Sequence, residues 1–280
     1  MKSALIMEGG AMRGMFTCGV IDVLMENGIK FDGAAGISAG AVFGINYKSN
    51  QIGRGIRYNK EYCNDKRYCS VKSLIKTGDL YNAEFCYETL PNELDKFDTE
   101  AFKSNPMEFY VGATNVDNGE IMFHKCLTGD KNDVMWMRAS ASMPIVSKVV
   151  KIDDYNLLDG GISCPVPYKY MMDLGYDKNV IVLTQPKEYR KKKASFLIIM
   201  LLNKYKAIKA VMKNRHNLYN NQMDEIEKLE NEGKAIVIRP KASLNIGKSE
   251  KDKNKLEEVY QLGREVCLLK LDEIKNYLND

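Results

Sequence analysis

The amino-acid sequence predicts an α/β fold in which a mostly parallel central sheet is flanked by helices, followed by a mainly helical extension. Short β-rich runs at residues 3–7 and 31–37 alternate with stretches whose apolar residues recur at helical spacing. Strands separated by helices are typical of parallel sheets, because parallel neighbours need a crossover connection. Strand-like runs become rare after Pro186. We therefore expect a domain over residues 1–185 and a mainly helical, basic extension over residues 186–280, packed on it or continuous with it.

Each further element has a local signal of its own. The first helix is expected to end at Asn27-Gly28, since glycine commonly follows a helix C-terminus. The Asp-Asn-Gly centre at residues 117–119 predicts a hairpin turn. The remaining strands are expected at residues 109–115, 120–125, 149–152, 155–158, 180–184 and 235–238, and the helices of the extension at residues 195–212, 216–231 and 251–277. Residues 51–107 are polar and weakly periodic and predict little.

Composition is that of an ordinary globular protein. The 280 residues are 45% apolar and 28% charged, the longest apolar run covers only residues 196–202, and no secretory leader precedes the first strand. The seven cysteines are odd in number and form no C-x-x-C pair, which is typical of reduced thiols rather than of disulfides or a zinc site. We therefore expect a cytoplasmic protein, at most peripheral on the inner face of the membrane, without a metal or another cofactor.

Positive charge is concentrated near the start of the extension. Residues 187–215 hold ten basic residues against Glu188 alone, which predicts an anionic partner. One interpretation of residues 190–213 is an interfacial helix on an anionic membrane, because basic residues flank the apolar run 196–202. A helix that packs on the core with a solvated basic end explains the same residues at least as well. No nucleic acid is expected, since aromatic residues are not interleaved with the basic ones.

A glycine-rich turn, EGGAMRG at residues 8–14, follows the first strand and opens the first helix. Consecutive small residues let backbone N–H groups converge at a helix N-terminus, where the macrodipole favours negative charge. Such a nest suits a phosphate group and equally the oxyanion of an acyl-transfer intermediate. With Asp32 downstream, the turn also loosely imitates a dinucleotide fingerprint, but its spacing is not G-x-G-x-x-G and Asp32 opens the second strand instead of ending it.

A second motif, GISAG at residues 36–40, places Ser38 between two glycines at a strand-to-helix turn. Such a turn presents the serine hydroxyl on a sharp, strained backbone, which suits a nucleophile. The five residues alone fit a tight turn or a helix cap equally well.

A serine nucleophile needs a base. Asp159 ends a predicted strand and is followed by two glycines, which leave room for another backbone beside the carboxylate. His124 lies on a predicted hairpin strand and His216 at the predicted start of a helix, so structural roles explain both histidines better. Only one strand–helix unit precedes Ser38, unlike in α/β-hydrolases, and a Ser38–Asp159 dyad is therefore the preferred hypothesis.

Four elements in this order resemble the patatin-like phospholipases: the turn at residues 8–14, the GISAG motif, the ASASMP stretch at residues 139–144, and Asp159 with its glycines. The resemblance covers roughly residues 1–185 and implies a three-layer α/β fold with acyl-ester hydrolysis by Ser38 and its partner Asp159. It further implies an oxyanion hole formed by Gly9, Gly10 and Ala11. The supporting residues that it implies are Arg13, Gly14, Gly36, Gly40, Gly160 and Gly161. The turn departs from the family pattern twice, with Ala11 where a third glycine is common and with Glu8 before it.

The sequence thus predicts a lipid acyl-ester hydrolase of the phospholipase A or lysophospholipase kind. Its substrate is a lipid or another acyl ester, which it hydrolyses by way of an acyl-enzyme intermediate. A catalytically silent lipid-binding protein on the same fold is one alternative, and a nucleotide-binding α/β protein is another. An ordinary aspartate, with a pKa of about 3.9, is a poor base at neutral pH, and burial of Asp159 between glycines would raise that pKa.

Overall fold

In the computed structural model, which describes residues 1–279, one eight-stranded sheet forms the centre of the molecule. Its strands are β1 (Lys2–Met7), β2 (Gly33–Ile37), β3 (Glu108–Asn115), β4 (Ile121–Cys126), β5 (Val150–Ile152), β6 (Tyr155–Asp159), β7 (Tyr176–Val182) and β8 (Ala235–Ile238). The parallel strands lie in the order β3-β2-β1-β7-β8, and β4, β6 and β5 are antiparallel additions at the β3 end. The predicted mostly parallel sheet is confirmed, although β7 begins four residues before its predicted start.

Helices cover both faces of the sheet. They are α1 (Gly14–Glu26), α2 (Ala39–Lys48), α3 (Arg54–Tyr62), α4 (Val71–Thr77), α5 (Thr99–Ser104), α6 (Lys131–Ser140), α7 (Tyr168–Asp173), α8 (Phe196–Leu201), α9 (Lys206–Asn231), α10 (Lys253–Leu269) and α11 (Leu271–Asn279). A π-helix (Phe85–Leu94) and single 3₁₀ turns (Ala11–Arg13 and Gly160–Ile162) accompany them. No helix within residues 1–279 is both long and apolar enough to cross a membrane.

Alternating side chains of β1 divide the core into two layers. Leu5 and Met7 pack in one apolar cluster with residues of α1, α2 and α10, whereas Ala4 and Ile6 pack in a second cluster with residues of α7 and α9. Successive residues of a strand point to opposite faces, so a wholly apolar strand such as β1 is covered on both. The result is the expected three-layer arrangement, and the C-terminal part of the chain supplies helices to both outer layers.

One edge of β3 is shared by two strands. β2 pairs with it in parallel as far as Ile37 opposite Gly112, and β6 pairs with it in antiparallel fashion from Asp159 opposite Ala113. The other edge of Ala113 is occupied by β4, so β6 must lie on the side of β2. The C-terminal ends of β2 and β6 therefore meet, one directly before Ser38 and the other at Asp159.

All three helix predictions in the C-terminal part are wrong in their boundaries. The chain turns between α8 and α9, where Leu202 and Ile208 enter one apolar cluster. α9 then continues through the polar residues 213–215, so His216 lies within a helix and not at its start. The predicted helix over residues 251–277 is likewise two helices, α10 and α11.

The apolar run 196–202 does not pack on the core as a whole. No residue of α8 is buried, and Phe196 is 82% exposed, whereas Leu202 is fully buried. The interpretation of this run as a core-packed helix is therefore wrong for α8, because its single turn and a half lies on the surface and only the residue that follows it turns inward.

α1 and α10 cross at two glycines. A Cβ atom on Gly19 would overlap the carbonyl oxygen of Tyr260, and one on Gly263 would overlap that of Phe16. Only glycine allows two helix backbones to touch in this way, so the pair holds the C-terminal helix close against the first helix of the chain.

Gly263→Ala should destabilise the fold, although alanine normally stabilises a helix interior by about 1 kcal/mol relative to glycine. The added methyl group would force α10 away from α1, and overpacking of this kind costs about 1–3 kcal/mol. The measurement is the urea midpoint of unfolding, with Glu265→Ala, at an exposed position of the same helix, as the control. A Gly263→Ala midpoint at or above that of the unsubstituted chain would contradict the close crossing.

Candidate active site

Ser38 lies on a strained turn between β2 and α2. Its backbone angles are φ 54° and ψ −120°, and a conformation of this kind costs a residue other than glycine about 1–3 kcal/mol. The Ser38 carbonyl accepts hydrogen bonds from the N–H groups of Ala41 and Val42, which starts α2. The turn presents the hydroxyl at the C-terminal edge of the parallel strands, where open α/β sheets bind their ligands.

Close backbone contacts require the glycines around Ser38. A Cβ atom on Gly36 would overlap the carbonyl of Gly40, and one on Gly40 would overlap that of Met7. Gly14 and Gly160 are restricted in the same way, by an aromatic ring of α2 and by the backbone of β3. Four of the five supporting glycines therefore lie where elements touch, whereas a Cβ atom on Gly161 would meet only side-chain atoms at 3.1 Å or more within its immediate surroundings.

The Ser38 hydroxyl donates a hydrogen bond of 2.7 Å to Oδ2 of Asp159. Oδ1 accepts from the N–H of Gly161 at 2.7 Å, and the Asp159 carbonyl accepts from the Thr114 hydroxyl at 2.9 Å. Burial raises the pKa of Asp159 above its ordinary value, and the bonds from Ser38 and Gly161 together with the charge of Arg215 oppose that rise without cancelling it. A carboxylate with a raised pKa is a stronger base toward the hydroxyl that it binds.

The stretch at residues 139–144 holds both members of this pair. The hydroxyl oxygen of Ser140 accepts a hydrogen bond of 2.8 Å from the Ser38 N–H, and the carbonyl of Ser142 accepts one of 2.8 Å from the Asp159 N–H. The sequence analysis noted the stretch only as part of a resemblance and assigned no role to either serine.

The glycine-rich turn packs directly against Ser38. A Cβ atom on Gly9 would stand 2.8 Å from the Cβ atom of Ser38. The N–H groups of Gly9 and Gly10 have no hydrogen-bond acceptor among residues 1–279, and Ala11 adopts a φ of 49°. Two free donors beside a serine hydroxyl are what binding of an oxyanion requires. The left-handed backbone of Ala11 also accounts for the glycine that is common at this place, because glycine adopts it without strain.

Glu8 anchors the turn to the rest of the molecule. Its buried carboxylate accepts hydrogen bonds from the N–H and the hydroxyl of Thr184, at 2.6 and 3.0 Å, and from the Tyr219 hydroxyl at 2.9 Å. The Thr184 hydroxyl accepts a longer bond, 3.4 Å, from Nε of Arg13. In the sequence, Glu8 is visible only as a departure from the family pattern, since its partners Thr184 and Tyr219 lie 176 and 211 residues farther along the chain.

An apolar cleft opens beside Ser38. It spans about 970 Å³ of empty space, part of which is open to solvent, and is lined mainly by aromatic, aliphatic and methionine side chains. Ser38 and Ala11 are among the lining residues, so the hydroxyl and the glycine-rich turn face the same space. Arg54, the cation in this wall, is neutralised by Asp95 at 3.3 Å.

The two histidines take no part in these contacts. His124 Nε2 lies 2.7 Å from Oδ1 of Asp133, and its ring stacks on Trp136 with 5.0 Å between the ring centres. His216 has its Nδ1 buried without a hydrogen-bond partner in the described residues. Neither histidine is hydrogen-bonded to Ser38 or Asp159, as the structural interpretation of both predicts.

One group of potential metal ligands does occur, although the sequence shows no ligand cluster. Side-chain donor atoms of His124, Cys126 and Asp133 lie within 4.8 Å of one another. Asp133 already accepts hydrogen bonds from the N–H groups of Thr128 and Gly129, at 2.9 and 2.8 Å. Burial raises the pKa of the Cys126 thiol well above its ordinary value, which disfavours the thiolate that a metal needs. The three side chains therefore fit a structural hydrogen-bond cluster better than a metal site.

Two family models match the chain. The model described as patatin-like phospholipase matches residues 5–172, which is more than half of the 280 residues. A model described as a domain of unknown function (DUF6363) matches residues 205–279.

Individual proteins match at low identity. The chain is 30% identical over 192 residues to "Uncharacterized protein YjjU" of Escherichia coli (strain K12), in an alignment that covers 67% of this chain and 53% of that protein. It is 24% identical over 298 residues to "Lysophospholipase NTE1" of Coccidioides immitis (strain RS), covering 97% of this chain and 18% of that protein. The chain thus spans about half, or less than a fifth, of these relatives.

Among solved structures, VipD from Legionella pneumophila matches with a TM-score of 0.48 and 12% identity, over 97% of this chain and 67% of that one. The match to the family model over residues 5–172 shows that the chain belongs to the patatin-like phospholipase family.

Proposed function

We propose that the chain is a serine acyl-ester hydrolase that acts on lipids, of the phospholipase A or lysophospholipase kind, with Ser38 and Asp159 as its catalytic dyad. The observation that carries the proposal is the 2.7 Å hydrogen bond from the Ser38 hydroxyl to a buried carboxylate, on a strained turn that faces an apolar cleft. Fungal relatives named lysophospholipases favour a lipid ester as the substrate.

In the proposed acylation step, Oγ of Ser38 attacks the ester carbonyl carbon while Asp159 takes the hydroxyl proton. The former carbonyl oxygen becomes an oxyanion and accepts hydrogen bonds from the backbone N–H groups of Gly9, Gly10 and Ala11, and loss of one such donor costs about 3 kcal/mol. Collapse of this intermediate breaks the bond to the alcohol, which leaves with the proton from Asp159. The product of the step is an acyl ester of Ser38.

Deacylation repeats these roles with water as the nucleophile. Asp159 takes a proton from the attacking water, and the same N–H groups hold the second oxyanion. The bond from the acyl carbon to Oγ of Ser38 then breaks, the fatty acid leaves, and the proton passes from Asp159 to the serine oxygen. Every step uses groups of this chain and one water molecule.

The cleft suits the acyl chain of such a substrate. Its lining includes Met12, Met137 and Met143, and flexible thioether side chains adapt to apolar groups of varied shape. An acyl chain in the cleft would bring its carbonyl carbon to Ser38, since that residue belongs to the same wall.

A catalytically silent lipid-binding protein on the same fold is the second candidate. The strained Ser38 in contact with Asp159 and the unpaired N–H groups nearby favour an enzyme, because lipid binding alone needs none of them. The nucleotide-binding alternative has no comparable support. The Asp32 carboxylate, which would bind the ribose, instead accepts hydrogen bonds from the N–H and the hydroxyl of Ser3, at 2.7 and 3.0 Å, and Asp32 lies directly before β2.

We further propose that α8 places the enzyme on an anionic membrane surface. Five of its six side chains are large, apolar and exposed, namely Phe196, Leu197, Ile198, Met200 and Leu201. Basic residues stand on both sides of it, namely Arg190, Lys191, Lys192 and Lys193 before it and Lys204, Lys206 and Lys209 after it. Exposed apolar groups within a basic rim match the interface of an anionic bilayer.

A long-chain fluorophosphonate should modify Ser38, which peptide mass spectrometry will detect. Asp159→Asn should prevent the modification and lower kcat/KM for a short-chain p-nitrophenyl ester roughly a hundredfold to ten-thousandfold, the usual contribution of a general base. Asp154→Asn removes an exposed carboxylate from the β5–β6 turn and, as the control, should alter neither result. An unmodified Ser38 in the folded chain, or an Asp159→Asn variant of undiminished activity, would refute the dyad.

The pH profile of kcat/KM for the same ester should have an acid limb with a midpoint above about 3.9, the ordinary aspartate pKa. Only ionised Asp159 accepts the Ser38 proton, and its pKa is raised by burial, so activity is lost as the pH falls through that raised value. A midpoint at or below the ordinary value would show that a desolvated carboxylate is not the base.

Replacing Phe196 and Leu197 by serine should weaken binding to phosphatidylglycerol vesicles at least about tenfold, since burial of each side chain contributes about 1.5–3 kcal/mol. Co-sedimentation measures the binding, with phosphatidylcholine vesicles as the neutral comparison. Ile75→Ser on α4 is the matched control, because Ile75 and Phe196 are both 82% exposed. Equal loss of binding in the control and the α8 variant, or none in either, would contradict a specific role of α8.

A further inference from the structure

Four basic side chains, three of them from the C-terminal part of the chain, lie close to one another or to Asp159, namely Arg13, Lys191, Arg215 and Lys248. The charges of Arg215 and Lys248 lower the pKa of Asp159, and those of Arg13, Arg215 and Lys248 lower the pKa of Lys191. Arg215 on α9 donates from Nε to the carbonyl of Gly161, whose own N–H binds Asp159. Lys248 is placed by its backbone carbonyl, which accepts a 2.9 Å hydrogen bond from the hydroxyl of Tyr81 in the cleft wall. Arg13 and Lys191 are linked through the contacts of Glu8. Arg13 Nε bonds the Thr184 hydroxyl at 3.4 Å, and Glu8 binds both Thr184 and Tyr219, the ring beside the Lys191 ammonium group.

Lys191 is held among the other cations at an electrostatic cost. Its ammonium group lies 4.6 Å from the centre of the Tyr219 ring, and Asn220 binds its backbone N–H and C=O at 2.8 and 3.2 Å. Burial and the charges of the other three cations lower its pKa to about 8. Tyr219 and Asn220 thus hold Lys191 in place near other positive charges.

These cations have no carboxylate partner of their own. In the part of the chain that the structure describes, none of the four forms an ion pair within 4.0 Å, whereas Arg54 in the cleft wall is paired with Asp95. The two carboxylates nearby, Glu8 and Asp159, accept their hydrogen bonds from neutral hydroxyl and N–H groups. Four positive charges against two negative ones leave the surroundings of the dyad positive.

The cations also lie outside the apolar cleft. None of them is among its lining residues, whereas Ser38 is. The contact of Arg215 with Gly161 puts the positive region on the Asp159 side of the hydroxyl. An ester whose acyl chain fills the cleft therefore directs its alcohol part toward the positive region.

We propose that Arg13, Lys191, Arg215 and Lys248 form a binding site for a phosphate group on the alcohol part of the substrate. The proposal rests on the hydrolase function and names the side chains that would bind the phosphate of its substrate. Guanidinium and ammonium groups bind phosphate oxygens through charge-assisted hydrogen bonds, and low solvent exposure strengthens them. Three of the four residues lie beyond the patatin match at residues 5–172, so this assigns headgroup recognition to the C-terminal part of the chain.

The first experiment compares two esters with one acyl chain, 1-palmitoylglycerol-3-phosphate and 1-palmitoylglycerol, both in neutral detergent. We expect the unsubstituted chain to prefer the phosphate ester and Lys191→Met to lower the ratio of the two kcat/KM values about tenfold, the effect of losing one charge-assisted bond. Lys241→Met, at an exposed lysine outside the cluster, is the matched control and should keep the ratio. An unchanged ratio in Lys191→Met, or an equal fall of both values, overturns the site.

Binding of ether analogues separates this proposal from the hydrolase function, because ethers are not cleaved. By calorimetry, 1-hexadecylglycerol-3-phosphate should bind the unsubstituted chain at least about tenfold more tightly than 1-hexadecylglycerol, and Lys191→Met should remove most of that preference. Inorganic phosphate should compete with the phosphate ether. Equal binding of both ethers overturns the headgroup site even if inorganic phosphate binds, whereas a preserved preference without ester cleavage supports the site and refutes only the hydrolase.

Discussion

The site depends on how β3 distributes its backbone hydrogen bonds. β2 uses one edge of β3 as far as Gly112, and β6 takes over the same edge at Ala113. This succession brings together two strand ends that are 121 residues apart, so that Ser38 follows one end and Asp159 closes the other. Both ends are fixed within the sheet, and the contact between hydroxyl and carboxylate is therefore a property of the strand pairing and not of two mobile loops.

Close backbone packing at glycines is a second constraint, and it explains why much of the fold and of the candidate site can be predicted from the sequence. Backbones touch at Gly36, Gly40 and Gly160, and a larger residue at any of them would separate the elements that carry the site. The same small residues form the motifs that are visible in the sequence. Short apolar runs predict the parallel strands for an equally local reason, since β1, β2, β3, β7 and β8 bury most of their side chains between helices.

The rest could not be predicted because it depends on partners that are distant in the sequence. No local pattern links Glu8 to Tyr219, 211 residues away, or brings Arg215 to Gly161. The role of Ser140 toward the Ser38 N–H is hidden in the same way, since serine is common at the end of a helix. The start of α9 is not visible in the sequence for the same reason. The polar residues 213–215 resemble a break although they lie within α9, and the real turn before α9 is marked only by the burial of Leu202 and Ile208 in one cluster.

The C-terminal part belongs to the same physical unit as the site. β8 pairs with β7, α10 meets α1 at the glycine crossing, and α9 supplies Tyr219 and Arg215, so we infer that residues 186–279 are continuous with the first part. Its cations must meet two opposing demands. Positive charge opposes the rise in the pKa of buried Asp159 and would attract the anionic substrate that we propose, but a direct ion pair would weaken that carboxylate as a base. Arg215 bonds the Gly161 carbonyl and forms no ion pair with Asp159 within 4.0 Å. Its positive charge therefore acts on Asp159 from a distance, and the carboxylate stays hydrogen-bonded to the Ser38 hydroxyl.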